Sequence, residues 1–262
     1  SSTDTHANLI KRASKNGKTV FCEKPIDLNV DQVDSCIQEL EKNQTECLIG
    51  FNRRFDPSFE KLYDSIQEGK VGKVEFVRIT SRDPLPPPIS YVKTSGGLFR
   101  DMAIHDFDMA CWLLDEEPAE VYATASCMVD PAIAEAGDVD TALITIKTAS
   151  GALCQITNSR RATSGYDQRV EVLGSKGDLN SDTRLSLTPV NAKAVEPFFL
   201  TRYRDSYKLE IEHFFDVIKK KCSPRVSAQS GRQALVIAEA AQMSFITKTT
   251  VPLTTVTSLS LM

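Results

Sequence analysis

Three short stretches of the 262-residue chain carry side chains able to move a proton or hold a polar ligand. Asp101 and His105 follow Gly96-Gly97, and four residues of helix set two side chains one turn apart on one face. Imidazole titrates near neutrality and a carboxylate orients it, so this pair suits general-base work. On a helix running from Gly96-Gly97 to Leu114, Asp108 and Trp112 share that narrow arc. Phe99, Ala103, Phe107, Ala110 and Leu114 form an apolar side opposite. The plainer reading is a polar stripe that faces water. Glu23-Lys24-Pro25 closes a strand-like run, and a lysine there polarises a hydroxyl or carbonyl oxygen, or passes a proton. A surface lysine before a proline reads the same. Gly50-Phe-Asn-Arg-Arg-Phe-Asp-Pro57 sets Arg53 and Arg54 side by side. A guanidinium fork suits a polyhydroxylated or anionic ligand, or else supports an inter-domain salt bridge. His213, on a C-terminal amphipathic helix, reads as structural.

The elements that must position these residues fall into two rhythms. Helix Thr5–Asn16 stops at Gly17, strand Lys18–Cys22 follows, Asn29 caps a helix to Asn43, and Glu46–Gly50 is a second strand. That alternation is the βαβ pattern of a parallel sheet, whose carboxyl-end loops are where such proteins bind ligands. A third helix spans Ser58–Glu68, and the boundary to a second unit lies near Phe51–Lys73. Beyond it come strand Val74–Ser81, the extended loop Asp83–Pro88, and strands at Val121–Val129, Asp140–Lys147, Ala152–Asn158 and Arg169–Leu173. Ser150-Gly151 reads as a hairpin turn, and helices Ser206–Lys221 and Gln229–Thr247 close the chain. The fold class is therefore α/β plus α+β. An incomplete Rossmann-type parallel sheet precedes a mostly antiparallel or mixed sheet flanked by helices, divided as residues 1–52 and 53–262.

Bulk properties narrow the partners. A net charge of −4 gives no electrostatic reason to expect nucleic acid or an anionic membrane. No apolar run approaches the roughly 20 residues of a membrane span. The seven cysteines are scattered and never spaced C-x-x-C, which points to neither a disulfide framework nor a metal site, and to a cytoplasmic location. Ser260-Leu261-Met262 lacks the basic middle residue of a peroxisomal tripeptide.

Taken in order, Glu23-Lys24-Pro25, Gly50–Pro57 and Gly-Gly-x-x-x-Asp101-x-x-x-His105 resemble the signatures of the glucose–fructose oxidoreductase / inositol dehydrogenase / MocA family. Gly174-Ser-Lys-Gly-Asp-Leu179 and Arg202-Tyr203, ahead of the Tyr207/Glu210/Phe214 helix, extend the likeness along nearly the whole chain. The resemblance implies an oxidoreductase that passes hydride from a secondary hydroxyl of a cyclic polyol or sugar to NAD or NADP. Arg82–Pro88, Tyr91 and Phe99–Asp108 favour myo-inositol, oxidised to 2-keto-myo-inositol. It also implies the roles: Lys24, Asp101 and His105 are catalytic, and Asn52, Arg53 and Tyr203 face substrate. Ser2, Thr3, His6, Glu23, Lys24 and Pro25 lie along the cofactor, and no metal takes part. A homo-oligomer, dimer or tetramer, is the expected assembly.

Members of that family open with a strand and Gly-x-Gly-x-x-Gly, which the 262 residues do not contain. The resemblance places Ser1 just after the fourth strand of the nucleotide domain, with roughly 70 to 80 residues before it absent, judged from a typical unit of this kind. An open apolar edge then predicts that the chain alone is unstable or aggregation-prone. The alternative function is a truncated, inactive isoform that binds or regulates a full-length relative.

Overall fold

A computed structural model describes residues 1–163, 165–182 and 198–259; the terminal tripeptide lies outside them. The first unit runs α1 (Thr3–Lys15), β1 (Val20–Glu23), α2 (Val30–Lys42) and β2 (Cys47–Gly50). Asn29 caps α2 by accepting from the amides of Asp31 and Gln32, satisfying donors that a helix start leaves open. β1 and β2 pair in parallel, Val20 opposite Cys47 through Glu23 opposite Gly50. A 3-10 turn (Asn52–Phe55) leads to α3 (Pro57–Gln67), capped by Asp56 with proline at its first position.

Next come β3 (Val74–Arg82), the short helices α4 (Ile89–Val92) and α5 (Gly97–Asp101), and α6 (Ile104–Leu114). β4 (Pro118–Ser126), α7 (Pro131–Glu135), β5 (Thr141–Thr148), β6 (Leu153–Ser159), β7 (Asp167–Gly174) and β8 (Gly177–Asp182) follow. Last are α8 (Phe199–Arg202), α9 (Arg204–Ile218), α10 (Ala228–Thr247), β9 (Val251–Pro252) and α11 (Leu253–Leu259). The large sheet has seven strands in the order β8-β7-β3-β6-β5-β4-β9. Only β3 and β6 among these neighbours run parallel. Alternation fixes which face is buried. Val77, Ile79, Val121, Ala123, Ile144, Ile146, Cys154, Ile156, Val170 and Val172 point inward under α6 and α10, each no more than 3% exposed. Tyr122, Leu143, Leu153 and Leu173 stand exposed on the outer face.

Helix α10 also packs against α2 and β2, and Ile49 N donates to Val226 O at 3.0 Å. The two sheets thus share one wall. No helix among the described residues is long and apolar enough to cross a membrane.

One expected element divides in two. The helix from Gly96-Gly97 to Leu114 breaks at Met102-Ala103. Ala103 N reaches back five residues to Leu98 O (2.9 Å), and His105 N then turns to Met102 O (3.4 Å) instead of Asp101 O. The carbonyl of Asp101 is thereby released from the helical ladder. At the start of α5, Gly96 and Gly97 take φ of +88° and +81°, a region other L-residues enter only with strain.

Candidate active site

The strand ends converge. β1 and β2 finish at Glu23 and Gly50. β3 and β6 finish where Asp83 and Arg160 begin their loops, and β7 starts after Tyr166. Together these ends, α5, α6 and the segment Phe198–Tyr207 wall a cavity of about 1000 Å³. Lys24, Asn52, Arg53, Asp101, His105 and Tyr203 all line it.

The carbonyl freed at the helix break has a partner. Lys24 Nζ donates to Asp101 O at 2.6 Å and to Asp101 Oδ1 at 3.2 Å. An ammonium has three donors, so one remains for the cavity. The Asp101 carboxylate also accepts from the Tyr91 hydroxyl at 2.8 Å and from Arg160 at 3.4 Å. Burial pushes its carboxyl up, but Lys24, Arg160 and the Tyr91 hydrogen bond together hold it below the ordinary aspartate value. It is a fixed anion at neutral pH.

His105 lies on the far side of the break, its ring edge-on to Phe51 with centroids 5.7 Å apart. Its Nδ1 is buried without a hydrogen-bond partner. Burial first, then the charges of Lys24 and Arg53, hold its pKa well below the usual histidine value. A neutral imidazole is the form that accepts a proton. Asp101 is engaged by Lys24, Tyr91 and Arg160 rather than by this ring. Of the two expected roles, holding the imidazole or a neighbouring substrate hydroxyl, the first is not what the carboxylate does in this structure, where it orients the lysine.

The polar-stripe reading of the helix is corrected as well. Asp108 is 1% exposed and takes both Nε and Nη2 of Arg54, at 2.8 and 2.6 Å. Trp112, 8% exposed, stacks on Tyr63 and lies under the Arg54 guanidinium. The two adjacent arginines thus separate in role: Arg54 is locked in a buried ion pair, and Arg53 reaches the cavity. Ser2, Thr3, His6 and Pro25 are not in the cavity wall. His6 is buried, its Nδ1 within 2.9 Å of Pro25 O, which ties the start of α1 to the turn carrying Lys24. His213 Nε2 accepts from Arg225 N at 2.9 Å, away from the cavity.

Glu23, next to Lys24 in the chain and also in the cavity wall, acts electrostatically on a second carboxyl group, Glu210. A Cβ on Gly50 would fall 2.8 Å from Glu23 Oε2, so only glycine leaves that carboxylate its place. Glu210 is 1% exposed, and burial, then the charge of Glu23, pushes it up to about 8. Its folded pKa thus exceeds the unfolded glutamate value, about 4.3. The folded state binds the extra proton between those values, so stability falls as pH rises from about 4.3 toward 8. Glu210→Gln removes that penalty. Thermal melts at pH 6 and pH 9 should show the variant gaining on the parent at the higher pH; an equal offset at both would disprove the assignment.

Sequence reasoning did not single out Arg160 or Tyr166, and it named Asp83 only as the start of a loop and Tyr207 only as a family feature of the last helices. Burial pushes Asp83 up to about 6 against the pull of Arg160 and Arg53. Burial also raises Tyr166, and it raises Tyr207 to about 12. The missed signal was positional: Asp83 and Arg160 each open the loop at the carboxyl end of one of two parallel neighbours, β3 and β6.

Comparison with known proteins agrees with this arrangement. Residues 1–51 match the oxidoreductase family model for an NAD-binding Rossmann fold, and residues 59–180 match the GFO/IDH/MocA C-terminal domain. An inositol 2-dehydrogenase of Rhizobium meliloti is 47% identical over 253 residues, covering 94% of this chain and 77% of the relative. A myo-inositol 2-dehydrogenase of Thermotoga maritima is 47% identical over 260 residues, covering 97% of this chain and 78% of the relative. The crystal structure of a myo-inositol dehydrogenase from Corynebacterium glutamicum superposes with a TM-score of 0.90 at 38% identity, covering 96% of this chain and 78% of that one. The chain therefore belongs to the GFO/IDH/MocA family of oxidoreductases, its first residues forming part of the family's NAD-binding Rossmann domain.

Proposed function

We propose that this chain oxidises a secondary hydroxyl of a cyclic polyol, myo-inositol to 2-keto-myo-inositol, with NAD as hydride acceptor. The observation that carries the substrate class is a set of orphaned polar atoms. Asn52 Nδ2, His105 Nδ1, Arg160 Nε and the Tyr203 hydroxyl are buried without partners, and all four residues line the cavity. Buried polar groups left unpaired cost about 1–3 kcal/mol each, and a ring of hydroxyls supplies both donors and acceptors to them. The names of the relatives point the same way.

Bound NAD supplies the hydride acceptor, C4 of its nicotinamide. His105, neutral, takes the hydroxyl proton. The free donor of Lys24 stabilises negative charge growing on the same oxygen, and Asp101 with Tyr91 keeps the ammonium aimed. Asn52, Arg53 and Tyr203 hold the remaining hydroxyls. Residues 1–52 serve the cofactor through Ser2, Thr3, His6, Glu23, Lys24 and Pro25, and residues 53–262, joined by Lys24 and Asn52, serve the polyol. The exposed apolar outer face of the sheet, with Tyr122, Leu143, Leu153 and Leu173, supports a homo-oligomer, dimer or tetramer. The charge pattern and free cysteines support the cytoplasm.

The test is formation of reduced nicotinamide, followed by absorbance, with myo-inositol, scyllo-inositol and glucose. Turnover should be fastest with a cyclic polyol. Absence of NAD reduction with every cyclic polyol would remove the substrate assignment.

A further inference from the structure

Asp106 is wholly buried, directly after His105 in the chain, and takes no part in the steps above. Its carboxylate accepts from Arg53 Nη1 and from Asn158 Nδ2, the latter at 2.7 Å. Arg53 Nη2 donates to Ser81 Oγ at 3.1 Å, and Gln168 Nε2 donates to the same oxygen at 2.9 Å.

Ser81 on β3 stands directly opposite Asn158 on β6 and Gln168 on β7. Directly opposed residues share a face. Along these three strands the inward positions are apolar: Val77 and Ile79, Cys154 and Ile156, Val170 and Val172. At the cavity end the series switches to Ser81, Asn158 and Gln168, one polar row across three strands, each no more than 2% exposed. The fold alone does not call for this. Buried polar groups cost free energy unless fully bonded, and well-packed apolar residues in place of a buried ion pair are often neutral or stabilising. The row and Asp106 converge on one object, the Arg53 guanidinium, whose side chain is 5% exposed and lines the cavity.

We propose that Asp106 is a positioning residue for Arg53: with Ser81 it commits two nitrogens of the guanidinium inward, so that the remainder meets the polyol in one orientation. Asp106 tunes substrate affinity without touching substrate. This inference rests on the polyol reading of the same cavity.

Steady-state kinetics on Asp106→Asn and Ser81→Ala, each alone and combined with Arg53→Lys, test it in the protein carrying this chain. Asp106→Asn should raise KM for myo-inositol about ten- to a hundredfold, the size of one lost charge-assisted hydrogen bond. Its kcat and its KM for NAD should stay close to the parent's. Ser81→Ala should raise the same KM by a smaller factor. In the Arg53→Lys background the added effect of either change should vanish, because the group they position is gone. A merely structural role predicts losses that persist in that background, or that fall on kcat and both KM values alike; either result overturns the proposal. Should Asp106→Asn fail to fold, Ser81→Ala, which deletes one hydroxyl, decides alone. Parent turnover with unchanged KM in both variants sinks the positioning role only, whereas a parent inert to every cyclic polyol sinks the polyol reading beneath it.

Discussion

Alanine in place of His105 should lower kcat for polyol oxidation by about 10²–10⁴-fold, the usual contribution of one general base, while NAD still binds with near-parental affinity. The expectation follows from where the ring sits. Its Nδ1 is buried and unpartnered, and burial with the charges of Lys24 and Arg53 keeps it neutral. No described hydrogen bond of the fold depends on it, so its loss removes a proton acceptor and leaves the frame standing. Its ring neighbour among the described residues, Phe51, is itself buried in the core and stays in place. Single-turnover reduction of NAD measures the chemical step, and fluorescence titration measures cofactor binding. An equal loss of both would mean that His105 shapes the cofactor site rather than the proton transfer.

Much of this arrangement is legible in the sequence, for reasons that can be traced. Caps and periodicity are local, so α1, α2, α3, α9 and α10 fall within a few residues of their sequence-based bounds. Strand alternation is local too, which is why β4 to β7 were readable while β9, two residues long, was not. The helix break at Met102-Ala103 was not readable, because its cause is distant in sequence. Nothing in Gly97–Leu114 forbids a continuous helix. What favours the break is Lys24, 77 positions earlier, which takes the carbonyl that the ladder gives up. Asp106 was hidden for the same reason: on a helical wheel it is one more acidic residue, and only the register of Ser81, Asn158 and Gln168 reveals what it holds. Arg54 shows the converse. It does form an ion pair, with Asp108, but a buried one within residues 53–262 rather than the inter-domain surface pair expected, and only geometry separates it from its neighbour Arg53.

Lys24→Met should prove nearly as damaging as the loss of His105, and its signature in pH should differ. Methionine keeps most of the stem but deletes the ammonium, which holds both the freed carbonyl and the carboxylate of Asp101. Removing one donor aimed at a developing oxyanion costs about 10²–10³ in kcat. KM for the polyol should rise as well, since the same donor meets the hydroxyl in the ground state. The pH effect has a definite sign. The positive charge of Lys24 is, after burial, the largest influence holding His105 low. Without it the imidazole moves up toward the ordinary histidine value, about 6.5. A base works only when unprotonated, so the acidic limb of kcat/KM shifts to higher pH in the variant. Asp101 moves upward too, because Lys24 is the foremost charge pulling it down. Lys24→Arg keeps a cation in place and should leave the limb near its parental position, even though the planar guanidinium cannot reproduce the two contacts to Asp101. A limb that stays fixed in Lys24→Met would show that His105 does not sense the lysine, and that the proton acceptor lies elsewhere in the cavity.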